Sequence, residues 1–179
     1  MQKIESFTVD HEKLLRGIYV SRKDYDNKTK EVIATTFDVR MKLPNREPVL
    51  NTAECHTIEH IGATFLRNSE KYKNETIYFG PMGCRTGYYI VFKGNLTSKD
   101  MVPVVKELFE FILNFEGKVP GADSFSCGNY LDHNLTIAKY ESKKFLEEVL
   151  YKITDENLNY PQLFYIILLQ GIFYFHILQ

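Results

Sequence analysis

The chain has 179 residues, of which 44% are hydrophobic and 25% charged, and a formal net charge of −1. That length suits one domain around a single core, and a near-neutral balance with no basic run gives no footing for nucleic acid or an anionic membrane as partner. Three cysteines, Cys55, Cys84 and Cys127, are too few, and odd in number, for a disulfide framework, which leaves them available for metal or catalytic chemistry.

The first residues, MQKIESFTVDHEKLL, are charged and lack the apolar stretch of a secretory signal, so a cytoplasmic setting is expected. KEVIATTFDVR (30–40) alternates as a strand, with Ile33, Thr35, Phe37 and Val39 on one face and Asp38 and Arg40 on the other. The segment 54–67 is predicted to be a helix. Asn51 and Glu54 form a capping-box pattern ahead of it, and Ile58, Ile61, Phe65 and Leu66 make its apolar stripe. ETIYF (75–79) and GYYIVFKG (87–94) are rich in aromatic and β-branched residues and are expected as strands. A second helix is predicted over about 101–115, stopping at Gly117. A third covers about 133–152 with Ala138, Phe145, Leu146, Val149 and Leu150 inward. The elements follow no regular βαβ rhythm, so the expected fold is a single α+β domain with helices packed on one face of a largely antiparallel sheet.

That domain is expected to span 1–160. Residues 161–179 form an apolar tail after the break at Pro161, unbroken from Leu163 to Leu169 and interrupted by Gln170, Gly171 and His176. It is short of the roughly 20 residues of a membrane-spanning helix. An appendage outside the catalytic fold is expected rather than an anchor, with truncation after Asn159 leaving the enzyme intact.

Three short stretches carry the chemistry. In HTIEH (56–60), two histidines sit one helical turn apart on the same face, with Glu59 beside them and the apolar stripe roughly opposite. An isolated match of this kind is also met as two surface histidines near an acidic residue. GPMGCRTG (80–87) puts Cys84 in a glycine-rich turn between two strands, a place for a catalytic group or for a small buried thiol. FSCGNYLDHN (125–134) puts Cys127 just ahead of the third helix, as buried filler or as a third metal ligand. Two histidines and one thiolate leave a fourth position open, which is the catalytic rather than the structural pattern of metal binding.

ESFTVDH (5–11), FDVR (37–40), HTIEH (56–60), GPMGCRTG (80–87) and CGNYLDHNL (127–135), in this order and at these separations, resemble the LuxS family of S-ribosylhomocysteine lyases. The resemblance runs from about residue 3 to about residue 160. It implies a divalent metal, one per subunit, held by His56, His60 and Cys127: Fe(II) in the native state, zinc or cobalt in preparations. It implies Cys84 and Glu59 as the catalytic pair and Ser6, His11, Arg40 and Arg67 as substrate contacts. It also implies a homodimer whose two active sites lie at the subunit interface. The reaction it implies cleaves the thioether of S-ribosylhomocysteine to homocysteine and 4,5-dihydroxy-2,3-pentanedione, the precursor of autoinducer-2, by carbonyl migration and β-elimination.

The chain departs from the family where Tyr78-Phe79-Gly80 stands in place of the Asp-Ile-Ser that many members carry, which removes a substrate-holding carboxylate. Cys55 is expected as buried filler, about 100° around the helix from His56. Two other readings of the same residues remain. An inverzincin-like metallopeptidase shares the H-x-x-E-H signature but calls for a carboxylate as third ligand and leaves the GPMGC turn without a task. A non-catalytic, metal-stabilised module calls for a fully occupied four-ligand sphere.

Overall fold

The computed structural model describes residues 8–161. Ser6 and the tail 162–179 lie outside the described residues. Four strands, β1 (Gly17–Tyr25), β2 (Val32–Arg40), β3 (Thr76–Pro81) and β4 (Gly87–Lys93), form one sheet in the order β1-β2-β4-β3, with every neighbouring pair antiparallel. Three helices, α1 (Thr52–Asn68), α2 (Ser98–Asn114) and α3 (Leu135–Glu148), complete the domain, followed by two short 3-10 turns, Leu150–Lys152 and Asp155–Asn157. This is the expected α+β domain.

Period-two alternation gives the sheet two different faces. Ile18, Phe37, Val39, Tyr88 and Ile90 share one core with Ile58, Ile61 and Leu66 of α1, with Val105, Leu108, Phe109 and Ile112 of α2, and with Ala138, Phe145 and Leu146 of α3. On the opposite face the register sets Tyr19 against Asp38 and Asp38 against Tyr89. Asp38 and Arg40 are buried there all the same.

Helix boundaries follow the caps. The Asn51 backbone N–H donates to Glu54 Oε1 (2.6 Å), so α1 begins at Thr52, two residues before its apolar stripe suggests. Thr97 and Asp100 form a second capping box and start α2 at Ser98, ahead of the predicted start at about 101. Asn134 accepts from the Ile137 N–H (3.1 Å), so α3 starts after His133 and leaves that residue in the preceding turn. Beyond Glu148 the predicted third helix gives way to a 3-10 turn.

α1 lies against β3 where Gly62 meets Phe79. A Cβ at Gly62 would stand 2.4 Å from the Phe79 ring, which is itself stacked on Tyr88 (centroids 5.0 Å apart). That contact fixes the distance between the helix bearing the histidines and the strand leading to Cys84.

Candidate active site

His56 and His60 project from α1 as neighbouring rings, centroids 4.5 Å apart and edge to face. Cys127 and His133 come to them from the loop between α2 and α3. The possible ligand atoms of these four residues all lie within 4.8 Å of one another. Cys127 Sγ stands 3.4 Å from His56 Nε2, close to the ligand–ligand spacing of a tetrahedral site with bonds of about 2.0–2.3 Å.

Each ring is oriented by its other nitrogen. His56 Nδ1 lies 3.0 Å from the Asp132 carbonyl and His60 Nδ1 lies 2.7 Å from the Pro120 carbonyl. A carbonyl only accepts, so both Nδ1 atoms carry the proton and both Nε2 atoms keep a free lone pair. Cys127 Sγ accepts from the Asn129 backbone N–H (3.4 Å). The donor set therefore fits a divalent metal: bare imidazole nitrogens and a sulfur that is already an acceptor.

His133 is the residue that sequence reasoning left without a role. Its Nδ1 is 3.2 Å from Thr57 Oγ1, whereas its Nε2 is buried with no hydrogen-bond partner among the described residues. Burial first, and then His56 and His60, push its pKa below the ordinary histidine value. The signal available beforehand was a third histidine, six residues after Cys127, in a chain with only five. A loop offers no periodicity to place it.

Glu59 is half-buried on the same helix, and its carboxylate has no hydrogen bond or ion pair among the described residues. Cys55, as expected, is core: it is buried, its thiol is pushed up by burial, and its carbonyl accepts from the Tyr88 hydroxyl (2.9 Å).

A second group of candidate residues lines a separate pocket of about 270 Å³. Its walls include His11, Asp38, Arg40, Cys84, Tyr89 and Tyr160, and none of the four clustered residues is among them. Arg40 is held by Asp38 (Nη2 to Oδ2, 2.5 Å) and by Thr86, and lies 3.8 Å from Cys84 Sγ. Burial pushes the Cys84 thiol up. The Thr86 hydroxyl at 3.0 Å, the Thr86 N–H and the Arg40 guanidinium outweigh it and hold the pKa below that of an ordinary thiol. Burial also pushes the Asp38 carboxyl up, against Arg40 and the Tyr160 hydroxyl that donates to it (2.8 Å). Tyr160 stacks flat on Tyr19, centroids 4.7 Å apart. The expected cut after Asn159 would thus remove Tyr160, one wall of this pocket.

The turn that holds Cys84 spans the residues between β3 and β4. Its left-handed residue is Arg85 (φ 57°), not a glycine. Gly87 matters for space instead, since a Cβ there would lie 2.1 Å from the Val39 carbonyl oxygen. Gly80 makes room for the Tyr78 hydroxyl, which would lie 2.0 Å from a Cβ at that position. Tyr78 and Gly80 therefore work as a pair. Arg67 stands apart from both groups, exposed in the last turn of α1, with Nη2 at 3.4 Å from the Ile77 carbonyl.

The S-ribosylhomocysteinase (LuxS) family model matches residues 4–156. S-ribosylhomocysteine lyases from Clostridium beijerinckii, Clostridium acetobutylicum and Finegoldia magna are 55%, 57% and 58% identical to this chain over 161, 162 and 162 residues. Those alignments cover 90% of this chain and 99%, 100% and 100% of the respective relatives. With a family match over most of its length and relatives aligned essentially end to end, the chain belongs to the S-ribosylhomocysteinase (LuxS) family.

Proposed function

We infer that the protein is a carbon–sulfur lyase that cleaves S-ribosylhomocysteine to homocysteine and 4,5-dihydroxy-2,3-pentanedione. The observation that carries the reading is the division of labour in the site. A nitrogen and sulfur donor cluster stands beside an unpaired carboxylate, and a thiol with a lowered pKa stands beside a buried arginine. A metallopeptidase would need a carboxylate in the donor set, and the cluster among the described residues contains none.

His56, His60 and Cys127 would hold the metal, Fe(II) in the cell by the family resemblance. When bound it supplies Lewis acidity, which makes C–H bonds beside the sugar carbonyl acidic. The remaining work falls to side chains. Cys84, as thiolate, removes the first carbon proton and returns it to the neighbouring carbon, moving the carbonyl one position. Glu59 makes the later transfers and the final enolisation that expels homocysteine. Arg40 and His11, with Ser6 beyond the described residues, orient the substrate, and Arg67 serves it from the side of β3. The separate pocket and donor cluster become one active site when two subunits pair, which makes the working unit a homodimer. A cytoplasmic enzyme fits this role; among the described residues no helix is long and apolar enough to cross a membrane.

The test is release of free thiol from S-ribosylhomocysteine by purified protein, before and after stripping the metal with a chelator and restoring Fe(II) or Co(II). Metal-dependent release of one homocysteine per substrate is expected. Absence of release from the metal-loaded dimer overturns the assignment.

A further inference from the structure

We propose that Tyr160 is a positioning residue: its hydroxyl holds the Asp38 carboxylate so that Arg40 grips it with one nitrogen only and keeps another on Cys84. The effect on turnover rests on the lyase reading above; the effect on the thiol does not. Asp38 Oδ2 accepts from two donors, Arg40 Nη2 (2.5 Å) and the Tyr160 hydroxyl (2.8 Å). Arg40 Nη1 is engaged elsewhere, with Thr86 Oγ1 and, at 3.8 Å, with Cys84 Sγ. Thr86 Oγ1 itself stands 3.0 Å from that sulfur. Asp38, Arg40, Cys84 and Tyr160 all line one pocket.

The ion pair is half-made. Asp38 and Arg40 are 2% and 4% exposed, and each has one buried polar atom without a hydrogen-bond partner among the described residues. These atoms are Asp38 Oδ1, an acceptor, and Arg40 Nε, a donor. A guanidinium and a carboxylate commonly meet through two parallel bonds, and Nε with Nη2 is an edge that makes them. Closing that fork would satisfy both orphaned atoms, and buried polar groups left unmet are costly. What opposes closure is the third group on the pair: Tyr160 anchors Oδ2. Its hydroxyl keeps its proton, pushed up by burial first and then by Asp38, so it remains a donor. Its ring is held in turn by the flat stack on Tyr19, planes 10° apart.

An Arg40 that closed both nitrogens onto Asp38 would spend its charge there and give up its contact with the sulfur. A thiolate is stabilised by such a donor, so losing it makes Cys84 a thiol over more of the pH range. The charged and titratable groups around Cys84 in this pocket are Asp38 and Arg40 from β2, His11, Tyr89 from β4 and Tyr160. Burial pushes the Tyr89 phenol up, so it stays neutral. His11 acts on Asp38 through its charge whether or not the Tyr160 hydroxyl is present. Tyr160 thus sets how much of the Arg40 charge reaches Cys84, and with it the pH at which that sulfur becomes a base.

Tyr160→Phe keeps the ring and removes the hydroxyl. The midpoint of Cys84 alkylation against pH should move up, while the plateau rate at high pH stays as in the unaltered protein. In homocysteine release, kcat/KM should fall about three- to tenfold on the acid side of its profile, in step with the lost thiolate, and recover on the alkaline side. A midpoint that stays or falls would make Tyr160 a packing residue, and a loss of the same size at every pH would mean a disturbed pocket; either overturns the proposal. Should the variant fail to fold, the Arg40 side-chain Nε–H signal of the unaltered, isotope-labelled protein decides. A nitrogen–carbon correlation from it to the Asp38 carboxylate would show a fork already closed and overturn the proposal; its absence supports the open pair. Homocysteine release by the unaltered, metal-loaded protein tests the lyase reading separately, and the alkylation midpoints stand whatever that assay returns.

Discussion

Cys84 shows how far a single thiol is tuned by its neighbours. Its pKa is lowered against burial by Thr86 and Arg40, so the thiolate persists to lower pH than in an ordinary cysteine, whose pKa is about 8.5. Alkylation of Cys84, followed by mass spectrometry of its peptide across a pH series, should reach half its plateau rate below that value. Thr86→Val should move the midpoint up. A midpoint at or above the ordinary value in the unaltered protein would contradict the geometry. Glu59 is tested by its amide. Glu59→Gln should still bind metal and substrate but accumulate a ketone intermediate, with homocysteine release falling about 10²-fold or more; normal release would remove Glu59 from the later steps. At this scale the sequence was legible where chemistry has a fixed spacing. His56 and His60 are one turn apart, and Cys127 follows from the family motif. His133 was hidden because its position depends on a loop, on the Asn134 cap and on one saturated threonine.

Among the elements, the strands predicted from aromatic and β-branched content are present within one or two residues of their expected ends. β1 was missed for a physical reason. GIYVSRKDY is an edge strand whose second half is charged, and its register slips between Val20 and Arg22, so the alternation breaks midway. Helix starts were displaced because caps, not apolar stripes, set them. The contact between α1 and β3 was illegible, since nothing in the sequence says that Gly62 faces Phe79. Phe79 is pinned by Tyr88 and cannot swing away. Gly62→Val should therefore destabilise the fold by about 1–3 kcal/mol, although glycine is the poorer helix former. The urea midpoint measures this; an unchanged midpoint would mean that the strand yields.

At the scale of the molecule, the ring of Tyr160 covers Tyr19 and its hydroxyl serves Asp38. Truncation after Pro161 should leave a fully active and more soluble protein. Truncation after Asn159 strips a partner from the buried Asp38–Arg40 pair and should lower both thermal stability and kcat/KM. Equal behaviour of the two truncations would show that Tyr160 is dispensable. The composition anticipated one domain and one core, but the sequence could not reveal that the candidate residues sort into two groups, because that division depends on which face of the sheet each one occupies.

That division has a genetic consequence. Cys84→Ala spoils the pocket and leaves the donor cluster whole; Cys127→Ala does the reverse. Each variant alone should be inactive. If an active centre takes its pocket from one subunit and its cluster from the other, a mixed dimer of the two variants contains one centre with both lesions and one with neither. Random reassortment of equal amounts makes half of the dimers mixed, so about a quarter of the unaltered activity should return. Two non-functional alleles expressed together would then complement one another, and a mixture that stayed inactive after subunit exchange would place each complete centre within a single chain.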